Sequence, residues 1–136
     1  MNPKLKTYIE DISKIYGVKI QFNHNPRGGA YWRGKIILGT KAPNRDIIDV
    51  FCHELAHYVN DIEGRYPVYH RVDAKKAIRR MGLKHFARYA LDAEIFTDKV
   101  GRKLAKLWFP KHKYVVGYTK SQYDLGFFHG YYLPEA

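Results

Sequence analysis

The chain has 136 residues, 46% of them hydrophobic, and carries 24 Lys and Arg against 13 Asp and Glu, for a net charge of +11 with histidine neutral. Length and apolar content suit one domain, residues 1–136, with a real core. The absence of any run of about 18 apolar residues excludes a membrane-spanning helix, and the single cysteine, Cys52, excludes an internal disulfide framework.

The N-terminal run Met1 to Lys6 lacks the apolar stretch of a secretory signal, so a cytoplasmic location is expected. Leu5, Tyr8, Ile9, Ile12 and Ile15 recur at helical spacing and Gly17 follows as a stop, which predicts an amphipathic N-terminal helix. Val18, Ile20 and Phe22 then alternate with polar residues, the mark of a half-buried strand. Residues 23 to 29 read as a turn; Ala30 to Trp32 and Lys35 to Leu38, flanking Arg33-Gly34, read as a hairpin. From Arg45 the period becomes helical, with Ile48, Phe51, Leu55, Val59 and Ile62 on one face and Gly64 and Pro67 beyond its end. Residues 71 to 86 read as helical with a break at Gly82. Residues 87 to 108 read as a long helix with Tyr89, Ala90, Ala93, Phe96, Val100, Leu104 and Leu107 as its apolar stripe, closed by Pro110. The Tyr-, Gly- and Phe-rich tail from Lys113 has no clear period. The order predicts an α+β domain: a backing helix, a small three-stranded sheet, a central helix and a second long helix.

The central helix contains His53-Glu54-Leu55-Ala56-His57. Residues four apart lie one turn apart on the same helix face, so both imidazoles can reach one zinc ion while Glu54 reaches a water on that ion. Cys52, beside this motif, reads as a small buried apolar residue. Catalytic zinc takes three protein ligands and leaves a fourth position open. Glu94 is the favoured third ligand because Asp98 follows it by one turn. There Asp98 can accept the second N–H of a zinc-bound histidine. Glu63 competes, six residues after His57 with Asn60 between, an arrangement similar to a metzincin spacing but lacking its Gly and its third His. His70, Asp73, His85 and His129 complete the alternatives.

His53-Glu54-x-x-His57 followed on a later helix by Glu94-x-x-x-Asp98 resembles the gluzincin clan of zinc metallopeptidases. The small size and upstream order look most like the minigluzincins and the ImmA/IrrE-type peptidases, over residues 5 to 108. The resemblance implies a zincin-like fold, one catalytic Zn2+ held by His53, His57 and Glu94, Glu54 as general base and Asp98 as the residue that orients a ligand. It also implies that the strand Ile36, Ile37 and Leu38 is the sheet edge that pairs with an extended peptide substrate. Members of the minigluzincin group can be latent, so residues 113 to 136 could cover the cleft, with His129 or Glu135 capping the ion. Oxyanion donors could come from His129, Tyr118, Tyr123, Tyr131, Tyr132 or Tyr89.

The expected function is therefore hydrolysis of peptide bonds in a protein or peptide substrate. The rival is a regulatory module that keeps the zinc fold and acts by binding DNA. The positive charge supports the rival, and its densest cluster is Lys75-Lys76 with Arg79-Arg80.

Overall fold

Asn2 opens helix α1 (Pro3–Tyr16): its side chain accepts the Lys4 N–H at 2.8 Å, and Pro3 supplies a preset φ at the first position. Gly17, at φ 77°, ends the helix in a left-handed cap that a side chain would strain. Ile9 and Ile12 turn inward and are fully buried. The structure is a computed structural model that describes residues 1–24 and 28–115.

The Gly17 turn sends the chain into β1 (Lys19–Asn23), which is followed by β2 (Gly29–Trp32) and β3 (Lys35–Gly39). The sheet order is β1-β3-β2, with β1 parallel to β3 and β2 antiparallel to it. Arg33 and Gly34, at φ 47° and 84°, make the tight hairpin turn that lays β2 on one side of β3. The parallel pairing of Ile20 with Ile36 and Phe22 with Leu38 occupies the other side. This corrects the expectation for Ile36, Ile37 and Leu38: they belong to the central strand, with both edges already hydrogen-bonded, and cannot accept a peptide strand. Ile36 and Leu38 are instead fully buried core residues. Among the described residues, the edges left unpaired belong to β1 and β2.

Helix α2 (Asn44–Ile62) crosses the sheet and packs lengthwise on α5 (Leu83–Trp108); between them lie the short α3 (Pro67–Arg71) and α4 (Ala74–Met81). The predicted break at Gly82 holds, at φ 85°, but α5 begins directly after it as one helix of 26 residues. The helix expected to start at 71 is instead split. Asp73 caps α4 by accepting the Lys75 and Lys76 N–H groups at 3.0 and 3.3 Å.

Both long helices bury most of their predicted stripes, Phe51 and Leu55 of α2 and Ala90, Ala93 and Leu104 of α5 among them, but each stripe stops short of its last residue and the buried face is wider than the stripe. Ile62 is 57% exposed and Leu107 65% exposed, while Glu54, His57, Asn60 and Asp61 of α2 and Glu94, Thr97 and Asp98 of α5 are buried. Polar side chains occupy the shared face and partner one another only in part: Asn60 Nδ2 donates to Thr97 Oγ1 at 3.2 Å, while Asn60 Oδ1, Glu94 Oε2 and Asp98 Oδ2 are buried without a hydrogen-bond partner among the described residues. A rule that looks for apolar periodicity places such a face outward. Two apolar clusters flank this polar seam. The larger joins α1, the sheet, α2 and the end of α5 around Ile9, Ile36, Phe51 and Leu55, and the smaller joins α4 to the start of α5 around Ala77, Phe86 and Ala90.

Candidate metal centre

The helical spacing of His53 and His57 on α2 places their rings 4.8 Å apart, both turned toward α5. Glu94 reaches between them: His53 Nε2 lies 2.9 Å from Glu94 Oε2 and His57 Nε2 lies 3.1 Å from Glu94 Oε1. The three ligand atoms lie within 4.8 Å of one another. Bonds of about 2.1 Å to a tetrahedral ion put ligand atoms roughly 3.4 Å apart, inside this range. His53, His57 and Glu94 are thus close enough to bind one metal ion.

Two further observations fit such an ion. Glu94 Oε2, although near His53 Nε2, is a buried oxygen without an aligned hydrogen-bond donor among the described residues. Buried carboxylate oxygens ordinarily have a partner, and a cation between the rings would supply one. The second observation is that both outer ring nitrogens are held from behind. His53 Nδ1 lies 2.9 Å from Asp98 Oδ1, and His57 Nδ1 lies 3.0 Å from His70 Nε2. Metal-binding imidazoles are oriented in this way, through the nitrogen that faces away from the ion.

The electrostatics point in the same direction. Burial alone would lower the pKa of His53, but the hydrogen bond to Asp98, the contact with Glu94 and the charges of Glu94 and Glu54 raise it to about 10. Burial also opposes ionisation of Glu94, yet the neighbouring His57 and His53 hold its carboxyl well below the usual carboxylate range. The pair therefore favours positive charge between the rings, and a divalent ion competes with protons for that position. Burial raises the pKa of Glu54, with His57 and His53 opposing the shift. Cys52 is 1% exposed, as its small apolar reading requires, and burial together with Asp49 pushes its thiol up to about 12.

A cleft of about 470 Å³ opens on this cluster and is lined by β2 together with Glu54, His57, Tyr69, Phe86 and Glu94. Part of its lining is thus β2, whose outer edge pairs with no other strand among the described residues, and not the strand that the sequence suggested. Gly29 makes this close approach possible: a Cβ there would meet Ile37 O and Val50 Cγ1 at 2.8 Å and Glu54 Cγ at 3.5 Å. Tyr31 ties the same strand to α2 by donating its hydroxyl to Asp61 Oδ2 at 2.6 Å.

The competing ligands lie elsewhere. Glu63 is a half-exposed partner of Arg65 at 3.1 Å, Asp73 caps α4, and exposed His85 contacts the Met81 carbonyl oxygen at 3.3 Å. The Tyr89 hydroxyl oxygen accepts the Val68 N–H at 3.2 Å. His129, Glu135, Tyr118, Tyr123, Tyr131 and Tyr132 lie outside the described residues, as does the tail from residue 116.

Three residues at the site were not assigned these roles by the sequence. Tyr69 donates its hydroxyl to Glu94 Oε1 at 2.6 Å, His70 backs His57, and Tyr114 donates to Asp98 Oδ1 at 3.0 Å. None carries a local signal, since each reaches the site through chain reversals that spacing does not encode. No protein-family model matches the chain, and no curated protein or solved structure is similar to it.

Proposed function

We propose that this chain is a zinc-dependent peptidase of gluzincin type, with His53, His57 and Glu94 as ligands and Glu54 as general base. The observation that carries the reading is the convergence of two imidazoles and a carboxylate from separate helices, with Glu54 beside them and, along the same cleft, a strand whose outer edge is unpaired among the described residues. A structural zinc site would require neither Glu54 in the cleft nor an open side. The donor set of two nitrogens and one oxygen suits zinc.

When bound, zinc supplies Lewis-acid polarisation of the scissile carbonyl and acidifies a water. The chain provides the rest. The outer edge of β2 offers backbone N–H and C=O groups to an extended peptide, giving affinity largely independent of sequence. Glu54, buried and with its pKa raised, takes the proton of the attacking water and delivers it to the leaving amine. Asp98 holds His53 in the tautomer that turns Nε2 inward. Tyr69 lines the cleft and donates its hydroxyl to Glu94 Oε1 at 2.6 Å; turned from that oxygen, the same O–H could donate to developing negative charge.

The test pairs metal analysis with a peptidase assay on an unfolded protein substrate. Wild type should bind about one zinc per chain and cleave. Glu54→Gln should keep the metal and lose turnover by a factor of roughly 10²–10⁴. Cleavage by Glu54→Gln at the wild-type rate would overturn the role of Glu54, and failure of wild type to retain zinc would overturn the whole reading.

One observation favours a second reading, contact with nucleic acid. Lys75, Lys76, Arg79 and Arg80 of α4 and Lys84 and Arg88 of α5 are all exposed, no acid lies between Ala74 and Leu91, and none of the six joins an ion pair among the described residues. Such a face suits a phosphate backbone. Retention on duplex DNA that weakens steeply with salt, and weakens again when the four α4 cations are changed to Gln, would support it. No retention at low salt would dismiss it.

A further inference from the structure

His70 lies in α3 with only 3% of its surface exposed, and both of its ring nitrogens are engaged. Nδ1 is 2.9 Å from the Arg65 backbone oxygen, and Nε2 is 3.0 Å from His57 Nδ1. A carbonyl oxygen can only accept, so Nδ1 of His70 carries the hydrogen. In a neutral ring the lone pair is then on Nε2. That lone pair can only accept, so His57 Nδ1 must donate to it, which leaves the His57 lone pair on Nε2. His57 Nε2 is the atom 3.1 Å from Glu94 Oε1.

Thr97 is the other polar group near His57 Nδ1, at 3.4 Å, but it is already engaged. Its hydroxyl donates to the Ala93 carbonyl at 2.7 Å and accepts from Asn60 Nδ2 at 3.2 Å. The chain of donors therefore runs from His57 to His70 to the backbone, and one backbone oxygen sets the tautomer of a ring two steps away.

We infer that His70 is a positioning residue which fixes His57 in the tautomer that presents Nε2 to the metal, doing with a neutral imidazole what Asp98 does for His53 with a carboxylate. This inference rests on the metal reading above. It assigns α3, a helix of only five residues, a purpose that its size would not suggest: it holds one ring against the back of another.

The test compares zinc affinity, by competition with a chromophoric chelator, in wild type, His70→Gln and His70→Leu, with folding checked by circular dichroism. A Gln side chain keeps an acceptor for His57 and a donor for Arg65, whereas Leu keeps neither. His70→Leu should bind zinc about 10–100-fold more weakly, the usual effect of removing such a partner. His70→Gln should recover most of that loss. A purely structural role would not distinguish the two by their hydrogen-bonding capacity. Folded His70→Leu with wild-type affinity would overturn the inference while leaving the metal reading intact; a wild type that binds no zinc would overturn both. If His70→Leu does not fold, the nitrogen chemical shifts of His57 in zinc-loaded wild type decide. Hydrogen on Nδ1 and metal on Nε2 support the inference, and the reverse overturns it.

Discussion

Gly101 lies where α5 passes under the Tyr114 ring. A Cβ at this position would come within 2.8 Å of the Tyr114 hydroxyl oxygen and 3.2 Å of Cζ. The ring cannot retreat without giving up its hydrogen bond to Asp98 Oδ1, the oxygen that also orients His53. Two effects oppose each other in Gly101→Ala: about 1 kcal/mol gained in helix propensity and roughly 1–3 kcal/mol lost to overpacking. Overpacking is expected to win, so the variant should be less stable in urea denaturation. In a Tyr114→Ala background the nearest remaining neighbour is the Cys52 carbonyl oxygen at 3.4 Å, an ordinary contact, so the propensity should win and the same change should stabilise. A loss of equal size in both backgrounds would show that Tyr114 is not what crowds the site. Residues of this kind separate what the sequence reveals from what it hides. His53, Glu54 and His57 are legible because one helix turn brings them together, and Glu94 with Asp98 for the same reason. Tyr69, His70 and Tyr114 act on those five across chain reversals, so no spacing rule reaches them.

Among the elements, α4 shows how much a short segment depends on its end. It has eight residues, four of them cationic and none acidic, and its cations at Arg79 and Arg80 already suit the C-terminal end. Its N-terminus is held by Asp73, which accepts two backbone N–H groups. Asp73→Ala should destabilise the protein by about 1 kcal/mol, and Asp73→Asn by only a few tenths, because Asn caps as well as Asp. Thermal or urea denaturation of the pair checks this, and equal stability of Asp73→Ala and wild type would remove the cap from the account. Elements with a strong local signal, α1 with its Gly17 stop and the Arg33-Gly34 hairpin, were legible in advance. The order of the sheet was not. The parallel pairing of β1 with β3 joins strands that β2 separates in sequence, so no local signal marks it, and it moves the outer edge from β3 to β2. The stripes of α2 and α5 were legible at Phe51, Leu55, Ala90, Ala93 and Leu104, but the polar face that the two helices share was not, because apolar periodicity does not mark it.

At the scale of the whole molecule, the polar seam between α2 and α5 separates two apolar clusters, and His53, His57 and Glu94, close enough to bind one metal ion, sit on that seam. An ion bound there joins α2 to α5 only in the folded chain, so it stabilises by mass action: about 4 kcal/mol when its free concentration is a thousand times Kd. Removing it with a chelator should lower Tm by on the order of 10 °C for a domain of this size. The net charge of +11 makes the surface a poor place for cations to gather, so adventitious binding at scattered carboxylates should contribute little. Salt then separates the two sources of stability. Screening weakens the mutual repulsion of the exposed Lys and Arg side chains, so raising ionic strength should lift Tm with and without metal. The ligands are buried and little screened, so the gap between the zinc-loaded and chelated proteins, measured by calorimetry, should persist at 0.5 M salt, where the Debye length is only about 4 Å. A gap that closed with salt would place the ion on the surface, away from the buried rings of α2 and the carboxylate of α5.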